Sequence, residues 1–180
     1  IASVAKVELI TSQGSVGTRV FINGGKLEDV SASDAKKGTK IRVMDLFYNT
    51  PARLKYLKSL YSELANIVAL VNRIALSHTE IKIVFTNDSK VLLNTDGSDN
   101  LLKVINAIYG ISTTKKMLEI NGSNTDYKVS GYVSEPEIHK SSRNAMITIV
   151  NGRVVRNQEL NRTINDAYHS YKPDNRYPVV

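Results

Sequence analysis

Residues 38–53 (GTKIRVMDLFYNTPAR) constrain the fold more than any other stretch of the chain. They read as a strand that runs into a tight polar loop, and the loop launches a long helix. Thr50 followed by Pro51 is a strong helix start. The first offers a side-chain oxygen to free amides, and the second loses nothing by lacking an N–H at the first helical position. Strand, loop and helix in such close succession call for an α+β fold.

The flanking sequence extends that pattern. Residues 6–10 and 19–22 have strand character and are separated by Gly14 and Gly17. Asn23-Gly24-Gly25 is a turn signal, with residues 27–30 as the returning strand of a hairpin. With residues 40–44, three or four antiparallel strands precede the loop. From residue 53 to about residue 77 the period becomes helical: Leu54, Leu57, Tyr61, Leu64, Val68, Val71 and Ala75 recur at steps of three and four. The same spacing makes a heptad seam, but no clean charge pattern flanks it, so a helix packed on its own sheet is expected rather than a coiled coil.

A second hairpin is expected where residues 81–85 and 91–93 flank Asn87-Asp88. Residues 94–99 are rich in turn formers, which sets an expected domain boundary between residues 1–97 and 98–180, with Ser98 or Asp99 capping the next helix. That helix covers residues 101–109. Strands follow through Leu118 and over residues 127–133, and residues 147–150 are apolar enough for a central strand. Asn157 can cap a last helix whose buried stripe is Leu160, Ile164, Ala167, Tyr168 and Tyr171.

At 180 residues the chain is large enough for one domain or two small ones, each with a real core. No apolar run approaches the roughly 20 residues that span a bilayer. The absence of cysteine excludes disulfide frameworks and thiolate metal sites and fits a reducing compartment, the cytoplasm by default. A net charge of +7 favours a polyanionic partner. The chain opens on Ile1-Ala2-Ser3-Val4 without an initiator Met and closes on apolar Tyr177-Pro178-Val179-Val180, so a longer parent is expected.

Few residues offer chemistry of their own. There is no Walker phosphate loop, and Gly14-Ser15-Val16-Gly17 reads as a turn. His78, His139 and His169 are too widely spaced for a metal site, and Asp96-Gly97-Ser98-Asp99 lacks the ligand spacing of an EF-hand. No nucleophile elbow or triad is present. What remains is Val150-Asn151-Gly152-Arg153-Val154-Val155-Arg156, a strand and Asn-Gly turn that set Arg153 and Arg156 near a helix start, with Arg162 one to two turns further on. Guanidinium forks bind phosphates bidentately, so these arginines form a candidate DNA-backbone patch. A solvated polar edge is the alternative that spacing alone leaves open.

The signature also resembles a family. GT-x-[hydrophobic]-x-V-x-DLF-[FY]-NTPAR is the pattern of the MutL DNA mismatch repair proteins, and residues 38–53 carry all its fixed positions. Val150-Asn151-Gly152-Arg153, followed by Arg156, resembles the family's VNGR strand-loop. Ile1-Ala2-Ser3-Val4 resembles the segment just after its GFRGEAL motif.

The resemblance covers nearly the whole chain. It implies the end of a GHKL-type ATPase sheet-and-helix layer over residues 1–97. An incomplete transducer-like domain of left-handed βαβ topology would follow over residues 98–180. It implies an ATP-gated dimeric DNA clamp in the parent, a weak ATPase that uses ATP and Mg2+, and links a MutS-type mismatch-recognition protein to strand incision. The family's general-base Glu, Mg-binding Asn, adenine-reading Asp and glycine-rich lid would lie upstream of Ile1, and its phosphate-reaching Lys beyond Val180. Only Gly38 and Thr39 would then remain of the nucleotide site, with the Thr39 hydroxyl at its adenine end. No catalytic residue and no metal ligand is expected in this chain, and by itself it should not turn over ATP. Some members carry an extra basic residue where this chain has Gln158, a departure that bears on the strength of the DNA contact rather than its place. A gyrase-type topoisomerase piece, or a non-catalytic nucleic-acid-binding module sharing the transducer fold, are the alternatives.

Overall fold

β-Branched and aromatic residues around glycine turns build the first third of the chain. The structure, a computed structural model, describes residues 1–34 and 36–180. Strands β1 (Lys6–Ser12), β2 (Gly17–Asn23), β3 (Lys26–Ser33) and β4 (Gly38–Met44) form one antiparallel sheet in the order β3-β2-β1-β4. The β2–β3 hairpin turns at Gly24-Gly25, as the turn signal requires, and Asn23 faces Lys26. Gly24 has φ +56°, and a Cβ there would sit 2.6 Å from the Tyr48 hydroxyl, so a side chain at this position would displace Tyr48. Glu8 on β1 is almost wholly covered and accepts from Arg19 on β2 and Arg42 on β4, at 2.8 and 3.0 Å. The Arg19 hydrogen bond holds its carboxyl below the usual range, against the opposing effect of burial.

Helix α1 (Pro51–Lys55) starts at Pro51, but the helical stretch is not continuous. Tyr56 N–H closes onto Arg53 O, and a second helix, α2 (Leu60–Ser77), begins after Ser59. Ser59 accepts from Ser62 N–H, while Glu63 reaches back to Lys58 N–H at 3.0 Å. These two side-chain bonds satisfy amides that a continuing helix would have paired internally, so the expected single helix divides in two. The expected stripe divides as well. Ala75 is fully buried, whereas Leu57 is 44% and Tyr61 88% exposed.

Thr50 is also used differently from expectation. It occupies the cap position with φ −136° and ψ 70°, its Oγ1 makes no capping bond, and that oxygen is buried without a partner. The departure from extended geometry withholds the side chain from the free amides, and Arg53 N–H bonds the Thr50 carbonyl instead.

Beyond α2 lie hairpin β5 (Val84–Asn87) with β6 (Lys90–Asn94), helices α3 (Leu101–Tyr109) and α4 (Ile111–Thr114), and hairpin β7 (Met117–Ser123) with β8 (Lys128–Ser134). β9 (His139–Lys140), β10 (Thr148–Val150), β11 (Arg153–Val155), α5 (Gln158–Ala167) and β12 (Tyr177–Pro178) complete the order. Asn100 caps α3 by accepting from Lys103 N–H, not Ser98 or Asp99. Asp99 is held at φ +54° and accepts instead from the Thr79 hydroxyl at 2.6 Å. Asn157 caps α5 as expected.

Among the described residues β10 pairs only with β11, so it is not a central strand. Its apolar side chains serve packing: Ile147 and Ile149 lie against a core of Ala75, Leu76, Leu93, Val104 and Ile105. The stripe on α5 is only half-covered, at Ile164 and Tyr168, because Ala167 and Tyr171 face out. Tyr168 donates to the Ser134 carbonyl, tying α5 to β8.

By internal contacts the chain divides into two compact units, Ile1–Glu63 and Leu64–Val180. The first holds the four-stranded sheet and the signature loop; the second holds the apolar core.

Candidate nucleotide rim and nucleic-acid interface

The signature loop is built by backbone and polar ties. Asp45 and Phe47 have φ +53° and +68°. Phe47 N–H donates to Val4 O at 2.7 Å, Asp45 pairs with Lys6 at 2.8 Å, and Asn49 donates to Ser3 O at 3.0 Å. Tyr48 donates to Asn23 Oδ1 at 2.7 Å. Asp45 and Asn49 thus hold the loop through their side chains, and Tyr48 adds a tie at a position where the pattern also admits Phe.

The two residues expected at the nucleotide lie at the other end of β4. Gly38 has φ +136° with nothing near its missing side chain. Thr39 faces Thr11 in register, and the two hydroxyls share a hydrogen bond of 2.9 Å. They line an open depression of about 380 Å3 with Lys36, Lys37, Lys40 and Ile10. The hydroxyls of Thr39 and Ser33 and the exposed Lys36, Lys37 and Lys40 can support a bound anion or base edge. Asp34 is the one carboxylate among the described residues that line the depression.

The arginines gather more tightly. Arg156, just past β11, and Arg162, on α5, line a cleft of about 930 Å3 within the second unit. Arg153 does not line it; it stands exposed on β11, opposite Val150 across the Asn151-Gly152 turn. That turn has φ +49° and +77°, the two-residue hairpin geometry that Asn-Gly adopts readily.

Two cleft arginines lie far away in sequence and escape spacing arguments. Arg73 comes from α2, where its Nη2 donates to Asn144 Oδ1 at 3.4 Å. Arg143 comes from the short turn before β10, with its guanidinium 5.2 Å from the centre of the Tyr177 ring. The only sequence signal for Arg143 is Ser142, whose hydroxyl accepts from Asn144 N–H and fixes that turn. Tyr177 reaches the cleft because the last four residues run between two segments. Val179 O accepts from Ser134 N–H, and Val180 exchanges hydrogen bonds with Ala145 and Ile147.

Among the described residues no acid pairs with Arg73, Arg143 or Arg156. Arg162 stands 3.6 Å from Asp166 but is 84% exposed, so that pair is weak. Glu159 is the one carboxylate on the cleft wall, against four guanidiniums. Such a site can attract and hold phosphates, and Arg73, Arg143 and Arg156 have no acidic partner among the described residues.

Residues 105–180 match a family profile described as DNA mismatch repair protein, C-terminal domain. The chain is 45% identical, over its whole length, to the DNA mismatch repair protein MutL of Listeria monocytogenes serotype 4b, and covers 30% of that relative. It is 46% identical to MutL of Streptococcus pyogenes serotype M5, again over 100% of this chain and 28% of the relative. The chain thus spans about 30% of the length of the curated relatives it matches. In fold it is similar to the Aquifex aeolicus MutL ATPase domain complexed with ADP (TM-score 0.80, 22% identity, 92% of this chain and 65% of that one). It is also similar to the N-terminal domain of a DNA repair protein (TM-score 0.83, 21% identity, 99% and 60%). The signature, the VNGR loop and a match of 45% identity along the entire chain agree: it belongs to the MutL family of DNA mismatch repair proteins.

Proposed function

We propose that this chain is the part of an ATP-gated DNA mismatch repair clamp that couples one wall of a nucleotide site to a DNA-binding surface. The observation that carries the reading is the convergence of Arg73, Arg143, Arg156 and Arg162, from four separate segments, on one cleft. In a chain of net charge +7, four arginines of which only Arg162 has an acidic neighbour suit phosphates, and phosphate contacts hold DNA without reading its sequence. A clamp that must move along DNA needs contacts of that kind. Arg153 would add a further phosphate contact beside the cleft.

On this reading residues 1–97 close the GHKL-type ATPase domain and residues 98–180 form the transducer-like domain. Gly38 and Thr39 would edge the adenine end of an ATP–Mg2+ site, with the Thr39 hydroxyl supporting the base-reading group directly or through water. The whole protein would act in the cytoplasm as a homodimer, receive its signal from a MutS-type protein and license strand incision. Its ATPase would be weak, and the residues of this chain would supply none of the catalytic groups. Identity to MutL along the whole chain supports this over a topoisomerase or a bare nucleic-acid-binding module.

Equilibrium binding to two duplexes of unrelated sequence tests the proposal. The expected result is equal affinity for both, and an equal loss for both when Arg156 is changed to Glu. Binding to one sequence only, or an Arg156→Glu protein that binds as before, would overturn it.

A further inference from the structure

Asn-Gly pairs occur at Asn23-Gly24, Asn121-Gly122 and Asn151-Gly152. Such a pair can lose ammonia unaided. The glycine backbone nitrogen attacks the asparagine Cγ, the side-chain amide nitrogen leaves as ammonia, and water opens the resulting succinimide to aspartate or isoaspartate. The step needs a glycine amide that is not engaged elsewhere. It also needs a backbone loose enough to bring that nitrogen onto Cγ.

Two of the pairs are held against it. Gly24 N–H donates to Ala5 O at 3.2 Å, and Asn23 Oδ1 accepts from the Tyr48 hydroxyl at 2.7 Å. Asn121 and Gly122 lie inside β7, opposite Ser130 and Val129 of β8, and Asn121 Nδ2 donates to Glu119 at 3.1 Å. An attack there has to break the pairing of two seven-residue strands. Asn151 and Gly152 are exposed at the tip of the β10–β11 hairpin. Its strands are three residues long and pair, among the described residues, only with each other. Val150 and Arg153 close this two-residue turn, which leaves the Gly152 amide outside the ladder. A Cβ on Gly152 would meet nothing within 4 Å, so no neighbouring group crowds the turn.

We infer that Asn151 is the chain's site of spontaneous deamidation, and that the carboxylate formed there weakens the phosphate contact of Arg153. The second half rests on the DNA-binding reading of Arg153; the first does not. Aspartate keeps the turn, because Asp-Gly favours the same geometry as Asn-Gly. It sets a negative charge close to Arg153 in the chain, and that charge repels the phosphate the guanidinium would meet. Isoaspartate also adds a methylene to the backbone path, which disturbs the register of Val150 with Arg153. The chain would lose hold of DNA as it ages.

Ageing the folded chain at mildly alkaline pH, with peptide mapping by mass spectrometry, tests the first half. Asn151 should convert faster than Asn23 and Asn121. Equal rates at the three sites, or an Asn151 that stays intact, would overturn the inference. Fluorescence anisotropy with a labelled duplex tests the second half. Affinity should fall about threefold on ageing and in freshly prepared Asn151→Asp, while Asn151→Gly, which cannot deamidate at this position, should keep its starting affinity on ageing. An Asn151→Asp chain that binds as tightly as the fresh one, or an equal loss on ageing Asn151→Gly, would overturn that half. If the fresh chain bound no duplex, the DNA-binding reading of Arg153 would fall, and the order of rates at the three Asn-Gly pairs would still decide the chemistry.

Discussion

The signature loop and the arginine cleft are opposites in how sequence becomes site. The loop is contiguous, and its side chains are spent on holding it: Asp45, Tyr48 and Asn49 all bond to neighbouring backbone or side chains. At the far end of its strand, Gly38 and Thr39 edge a wide, open depression. The cleft is assembled from α2, the turn before β10, β11 and α5, and several of its donors have no internal partner. A motif's specificity therefore measures how tightly a local shape is prescribed. The reactive potential of a site depends on which side chains are left unpaired, and that is settled by packing between distant segments.

Stability should show the largest difference between the two units. Leu93, 3% exposed in the second unit's core, should cost roughly 2–5 kcal/mol when cut to Ala. Ile41 on β4, 60% exposed, should cost under about 1 kcal/mol for the same truncation. Denaturant melts of the two variants check this, and comparable losses would mean that the first unit is packed as tightly as the second.

The next effects are on binding. Arg156→Glu should weaken DNA binding by about tenfold or more, because it removes a phosphate contact and adds a repulsion. Arg153→Glu, outside the cleft, should cost several-fold, about equally on single strands and duplexes. Thr39→Ala should leave DNA affinity in the absence of nucleotide unchanged, and a loss there would place Thr39 in the DNA-binding surface itself. Anisotropy titrations of the three variants rank them.

The smallest effect tests a local electrostatic tie. Lys103 donates to Asp96 at 2.9 Å and, with the Ser98 hydroxyl and amide, holds that carboxyl down from its ordinary 3.8 to about 2. A carboxyl depressed in the folded state stabilises above its unfolded pKa and loses that contribution as pH falls through the folded one. Lys103→Met should therefore lower stability slightly at neutral pH, with the deficit shrinking from about pH 4 and largely gone by about pH 2. A deficit that stays constant over this range would assign Lys103 a packing role instead.

Much of the fold is legible in the sequence. The Gly24-Gly25 turn, the capping Asn157 and the extent of α3 all follow from local chemistry that tertiary contacts leave alone. The misreadings occur where a competing partner intervenes. Asp99 is drawn away from its cap by Thr79, Thr50 is turned from the amides it was expected to meet, and Ser59 with Glu63 starts a second helix inside an unbroken apolar period. Of the cleft, Arg156 and Arg162 are visible through the VNGR spacing. Arg73 and Arg143 are not, since they lie 83 and 13 residues from Arg156 and no local pattern links them to it.

DNA held through phosphates at the second unit's arginines must bind with an affinity that depends on salt. The salt dependence of duplex affinity for the unsubstituted chain and for Arg156→Glu tests it most directly. Log affinity should fall linearly with log salt, with a slope shallower by about one in the variant. An unchanged slope, or affinity that hardly responds to salt, would contradict it.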